Sequence, residues 1–192
     1  LKDKIALFCN VPSSHVLQNL DVEYLYEAPL AMEQERLAQV ACECLHLDCP
    51  QPDLSDWTAM VDALRHPTRD VTVALVGKYT QLHDAYISVV EALKHGGIAQ
   101  RSTVSIRWID SETVTEENVH EMLAGADGIL VPGGFGDRGI EGMISAIRYA
   151  REHQIPFLGL CLGMQLSIVE YARHVLGYAD AHSIELDPGT TH

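Results

Sequence analysis

From Val71 onward, apolar strand-like segments alternate with segments of helical spacing, and no other feature of the chain narrows its fold as far. The run is Val71–Val76, Ala85–Lys94, Val104–Ile109, Glu116–Leu123, Gly128–Val131, Ile140–Glu152, Pro156–Leu160 and Gly163–Leu176, strand and helix in turn. Such alternation predicts an α/β fold, a mostly parallel sheet with helices on both faces, whose ligands sit at the carboxyl ends of the strands. With 47% hydrophobic residues, 192 residues are enough to bury a core.

Two glycine clusters fall at such strand ends. The first is Gly159-Leu160-Cys161-Leu162-Gly163, set between the apolar run Ile155–Leu160 and the helical spacing of Met164–Ala172. A sharp turn there would present the thiol of Cys161 to solvent at a helix N-terminus, where exposed amides and the positive dipole end favour an anionic sulfur. The thiolate is the form that attacks a carbonyl. The alternative is a structural cysteine buried in the core. The second cluster, Pro132-Gly133-Gly134-Phe135-Gly136-Asp137-Arg138-Gly139, follows the apolar run Gly128–Val131. Beside the elbow, the amides of Gly133 and Gly134 together with that of Leu162 would form an oxyanion hole for acyl transfer. A phosphate loop is the competing reading; it lacks support, since no Lys-Ser or Lys-Thr follows the glycines and the spacing is not G-x-G-x-x-G.

The remainder reads as an appendage. Residues 1–47 hold an expected strand, Lys4–Val11, and one helical pattern from about Pro29 to Leu45 with Glu33, Glu35 and Arg36 on its polar side. A linker is expected over 48–69, opened by Cys49-Pro50-Gln51-Pro52-Asp53 and containing a short amphipathic helix capped by Ser55, and the main domain over 70–192. Cys42, Cys44, His46 and Cys49 crowd together, but their spacing is not that of a zinc finger, and no metal site is expected. The five cysteines form no even framework, which suits a reducing cytoplasm. A formal charge of −14 argues against nucleic acid or an anionic membrane as the main partner, and no apolar run reaches the length of a membrane span.

Taken with Lys4-Ile5-Ala6-Leu7-Phe8-Cys9-Asn10-Val11, Val76-Gly77-Lys78-Tyr79 and Glu91-Ala92-Leu93-Lys94-His95-Gly96-Gly97, the two glycine clusters resemble the CTP synthase family over essentially the whole chain. The likeness is to the end of the synthetase domain, of P-loop type, then the linker and the first part of a flavodoxin-like class I glutamine amidotransferase domain. It implies glutamine-dependent, ATP-driven amination of UTP to CTP in a cytoplasmic homotetramer. CTP is the implied inhibitor, GTP the activator, and Mg²⁺ the metal, held by ligands outside this chain.

The same resemblance implies roles residue by residue. Cys161 is the nucleophile; Gly134 and Leu162 form the oxyanion hole and, with Gly163, Met164, Gln165 and Glu185, bind glutamine, Glu185 taking its α-ammonium. Lys4 contacts UTP or CTP, Phe8 and the Leu20-Asp21-Val22 segment take the adenine of ATP, and Phe135 lies near GTP. Without the resemblance, Glu185 reads as a solvated loop acid, Lys4 as a surface lysine and Phe8 as a core aromatic. His-Pro-Glu, which class I amidotransferases place after the elbow, does not occur; His66-Pro67-Thr68 precedes the domain, and His182 and His192 are the histidines to consider in its stead. The chain is therefore expected to be part of a longer one. A non-catalytic amidotransferase-like binding module, or a cysteine hydrolase of the related peptidase or deglycase type, are the alternatives.

Overall fold

The computed structural model describes residues 1–191 in two compact units, Leu1–His66 and one beginning at Pro67. The first unit is helical: α1 (Lys2–Cys9), α2 (Ala28–Gln34), α3 (Leu37–Leu45) and α4 (Ser55–Arg65). The expected strand Lys4–Val11 is thus a helix. A strand needs a neighbour for its backbone groups, and the sheet lies wholly in the second unit. Here the segment satisfies them internally, with Asp3 at the positive end and Asn10 closing the helix at φ 55°.

The single helical pattern expected over Pro29–Leu45 is broken at Arg36, which takes a left-handed φ of 65°. The charged stretch before it is drawn into other bonds: Glu35 accepts from Lys2 Nζ at 2.5 Å and from the Gln18 amide at 3.1 Å, while Glu33 accepts from the Ala38 amide at the start of α3. Lys2 holds the Glu35 carboxyl below the usual carboxylate range. Nor does Ser55 cap α4. It is the first helical residue, and its amide donates to the Asp53 carboxylate at 2.9 Å. Helix α4 packs within the first unit, where Trp57 Nε1 donates to the Tyr26 carbonyl at 2.7 Å and Arg65 Nε to the buried carboxylate of Glu27 at 2.5 Å.

The second unit follows the expected alternation: β1 (Arg69–Gly77), α5 (Ile87–Ala99), β2 (Ser102–Asp110), α6 (Val119–Leu123), β3 (Gly128–Val131), α7 (Ile140–Glu152), β4 (Phe157–Gly159) and α8 (Leu162–His174). All four strands are parallel, in the order β2-β1-β3-β4. Ala74, Val76, Ile129 and Val131 face α7 and α8; Leu75 and Leu130 face the other way, toward Val89 and Leu93 of α5. Helix α5 runs past the expected end at Lys94 and through Gly97. A Cβ on Gly97 would stand 2.6 Å from Val104 and 2.7 Å from the Ser102 carbonyl, so this glycine is where helix and strand touch. Among the described residues no helix is long and apolar enough to cross a membrane.

Helices α7 and α8 are tied by one carboxylate. Glu170 is 1% exposed and accepts from Arg151 Nε at 3.2 and 3.1 Å and from Nη2 at 2.8 Å, while His174 Nδ1 lies 3.3 Å away. Removing one partner of a buried pair costs about 3–5 kcal/mol because the other is left without a counter-charge. Arg151 is partly exposed, so water takes up some of the loss. Arg151→Met is expected to lower stability by about 2–3 kcal/mol in urea unfolding. A loss under about 0.5 kcal/mol would show that the pair is replaceable by solvent.

Candidate active site

Strands β3 and β4 pair with Val131 opposite Gly159, and the Leu160 amide donates to the Val131 carbonyl at 2.9 Å. The chain therefore leaves both strands at one edge of the sheet, and the two glycine clusters begin side by side. Cys161 occupies the tip of the second turn with φ 50° and ψ −102°, immediately before α8, and is exposed. Non-glycine residues hold such angles only where their surroundings enforce them. The enforcement is visible on both sides. A Cβ on Gly159 would stand 2.6 Å from the Gly163 carbonyl, and one on Gly163 only 2.1 Å from the Val131 carbonyl oxygen. Both glycines are needed for the turn to close against β3.

The other cluster lies against this elbow. The position of a Cβ on Gly133 is 3.6 Å from Cys161 Cβ, and that on Gly134 is 3.4 Å from Leu162 Cδ2. Leu162, 2% exposed, is the first residue of α8, so its amide has no acceptor within the helix. The Gly163 amide instead donates to Leu160 O at 2.9 Å and that of Gln165 to Cys161 O at 3.1 Å. The arrangement offers an accessible sulfur, a helix N-terminus and a glycine-rich stretch of amides within one contact shell, parts that acyl transfer from an amide can use.

Of the other candidates, Gln165 and Glu185 come together, Gln165 Nε2 donating to Glu185 Oε2 at 3.3 Å. Met164 and Phe135 are 53% and 79% exposed. In the first unit, Lys4 and Phe8 lie one turn apart on α1, both on the surface, and Phe8 is 86% exposed and so is not a core aromatic. Leu20 and Asp21 are exposed and Val22 half-buried, in a stretch without helix or strand. Burial and then the neighbouring Cys49 raise the Cys42 thiol, while Cys44 Sγ contacts His15 Nδ1 at 3.5 Å. Among the described residues no three His, Cys, Asp or Glu side chains gather as a metal site. His182 Nδ1 accepts from the Ser183 amide at 2.9 Å, and His192 lies outside the described residues.

Sequence reasoning passed over Lys78 and Tyr86. Lys78, 5% exposed, follows the last residue of β1, and its Nζ donates to the carbonyls of Phe135, at 3.0 Å, and Gly136 in the glycine loop. Burial, then the Arg138 guanidinium, hold its pKa below the ordinary lysine value. Tyr86 Oη accepts from the Lys78 and Tyr79 amides at 3.2 and 3.3 Å, and burial pushes its phenol up. The signal was present as Val76-Gly77-Lys78-Tyr79, a lysine placed directly at the end of a buried strand.

These contacts separate two glycine substitutions. Gly163→Ala, whose methyl meets backbone, is expected to cost roughly 3 kcal/mol or more, whereas Gly133→Ala, in ordinary contact, should cost under about 1 kcal/mol and slow alkylation of Cys161 by iodoacetamide. Equal stabilities in thermal unfolding would contradict this description of the elbow.

The family model described as "Glutamine amidotransferase class-I" matches residues 81–190, and that described as "CTP synthase N-terminus" matches residues 1–47. A CTP synthase of Clostridium perfringens (strain 13 / Type A) is 57% identical over 190 residues, covering 99% of this chain and 36% of the relative. One of Geobacillus kaustophilus is 53% identical over 192 residues, with 100% and 36% covered. Among solved structures, the glutaminase domain of Trypanosoma brucei CTPS with bound acivicin superposes with a TM-score of 0.60 at 41% identity, covering 64% of this chain and 48% of that one. The chain thus spans about a third of the length of the curated relatives it matches. With its elbow, its glycine loop and its parallel sheet, it belongs to the CTP synthase family within the class I glutamine amidotransferases.

Proposed function

We propose that the protein is a glutamine-hydrolysing CTP synthase and that Cys161 is its glutaminase nucleophile. One observation carries the reading: the strained, exposed Cys161 stands against the Gly133-Gly134 loop at the edge where β3 and β4 end together. The thiolate attacks the side-chain amide carbon of glutamine, and the carbonyl electron pair moves onto oxygen, where the amides of Gly134 and Leu162 receive it. The tetrahedral adduct collapses with loss of ammonia to a glutamyl thioester, which water hydrolyses to glutamate and the free thiol. Proton transfer to the departing nitrogen needs an acid–base partner, which the class I pattern supplies as His-Pro-Glu; residues 1–192 contain no such tripeptide. In this reading Gly163, Met164 and Gln165, the residues that follow the elbow, bind glutamine, and Glu185, which accepts from Gln165, takes the α-ammonium.

The ammonia then serves the synthetase half. ATP activates O4 of UTP by phosphorylation and ammonia displaces the phosphate to give CTP. This chain contributes Lys4, on the surface of α1, to the phosphates of UTP or CTP, and Phe8 with Leu20-Asp21-Val22 to adenine. GTP as activator, contacting Phe135, and a cytoplasmic homotetramer complete the reading.

In the full-length protein, Cys161→Ala is expected to abolish glutamine-dependent CTP formation and keep synthesis from added ammonia. Loss of both activities would refute the assignment of Cys161 to glutamine hydrolysis. Glu185→Gln removes a charge-assisted contact made in ground and transition states alike. The KM for glutamine should therefore rise on the order of tenfold to a hundredfold with kcat little changed; an unaltered KM in steady-state assays would return Glu185 to a solvated surface acid.

A further inference from the structure

An oxyanion hole helps only if its donors are already in place when charge develops. The loop that carries the Gly134 amide is ill suited to hold itself still, since Gly133, Gly134, Gly136 and Gly139 make up half of Pro132–Gly139. Its restraint comes from a neighbouring strand. Lys78 follows β1, the partner of β3, and its stem runs past Gly134, where a Cβ would stand 3.6 Å from Lys78 Cδ and 3.8 Å from Cε. Its ammonium then donates to the next two carbonyls, of Phe135 and Gly136. The root of the lysine is fixed in turn by Tyr86 Oη, which accepts the Lys78 amide.

Burying an ammonium is costly unless its donors are satisfied. Here two main-chain oxygens of the loop that faces Cys161 accept from it, with Gly134 on one flank and the exposed Phe135 side chain on the other. An apolar side chain would fill the same space at less cost but would leave those two carbonyls, and so the backbone that directly follows the Gly134 amide, without a tether. We propose that Lys78 is the positioning residue of the oxyanion loop: by clamping the Phe135 and Gly136 carbonyls it fixes the Gly134 amide against the Cys161 elbow. The role rests on the glutaminase reading above and adds to it a residue that touches neither substrate nor sulfur.

The test uses the full-length protein with Lys78→Met, Lys78→Gln and Lys78→Arg, and with Cys161→Ala as a control. Four quantities are read: kcat and KM for glutamine hydrolysis, ammonia-dependent CTP formation, and the rate of Cys161 alkylation by iodoacetamide. Lys78→Met is expected to lower kcat on the order of a hundredfold, the scale of losing one oxyanion donor. KM for glutamine, ammonia-dependent synthesis and alkylation should stay within about threefold, because the pocket, the synthetase site and the elbow are left intact. Lys78→Arg, which keeps the charge and can reach both carbonyls, should recover at least about tenfold of the loss. Should Lys78→Met fail to accumulate as folded protein, Lys78→Gln, whose amide reaches a single carbonyl, is read the same way and should show an intermediate loss. A wild-type kcat in either neutral variant overturns the proposal, as does an equal fall in ammonia-dependent synthesis, which would make Lys78 a residue of general stability. Retention of glutaminase activity in Cys161→Ala would instead overturn the parent reading, whatever Lys78 does.

Discussion

The carbonyl of Val131 occupies the place where a side chain on Gly163 would stand, and the rest of the second unit is arranged around that contact. The first turn of α8 can lie on the end of β3 only because nothing projects from it there. The turn between β4 and α8 is consequently too tight for an ordinary backbone, and the strain collects at Cys161. The Cys161 sulfur is thus held by main-chain packing, and its neighbours, Gly133 and the Leu162 amide, are main chain as well. A reactive group placed in this way depends little on the loop side chains around it.

Two further ties hold the geometry from a distance. Glu170 and Arg151 fasten α8 to α7, the two helices that start at the elbow and at the glycine loop. Lys78 fastens the glycine loop to the end of β1. Each tie crosses between elements distant in sequence, so the site is braced by the sheet and its helices. A buried carboxylate and a buried ammonium are both expensive to desolvate, and each is matched by several partners, Arg151 and His174 in one case and two carbonyls in the other.

How much of this the sequence discloses follows from what each signal depends on. Strand β3 and helix α7 occupy the expected residues, Gly128–Val131 and Ile140–Glu152, because apolar runs and helical periodicity report burial that the sheet then supplies. The elbow was legible for the same reason: a glycine–cysteine–glycine run between a strand and a helix has few ways to fold. Lys4–Val11 went the other way, since an apolar run of that length suits a strand or a helix equally and only the presence of a partner decides. Arg36 breaks its helix where Glu33 takes the Ala38 amide and Glu35 makes long-range bonds to Lys2 and Gln18, which periodicity does not register. Lys78 escaped notice because a lysine reads as a surface residue, and its burial depends on a loop more than fifty positions away. The roles of Lys4, Phe8, Leu20, Asp21 and Val22 came through family likeness alone, and the exposed positions of most of them carry no local mark of a ligand.

The pairing of Val131 with Gly159 has a consequence for how such a site can change over time. Adjacent parallel strands hand the chain to the two loops at one level, so the distance between the Cys161 sulfur and the amides of the glycine loop is set by a count of residues. Replacing side chains in the loops leaves that count untouched. Adding or deleting a single residue in either strand would turn its inward side chains outward and shift one loop along the other. Natural variants of this site should accordingly differ in the residues of their loops far more freely than in the lengths of the strands that lead to them.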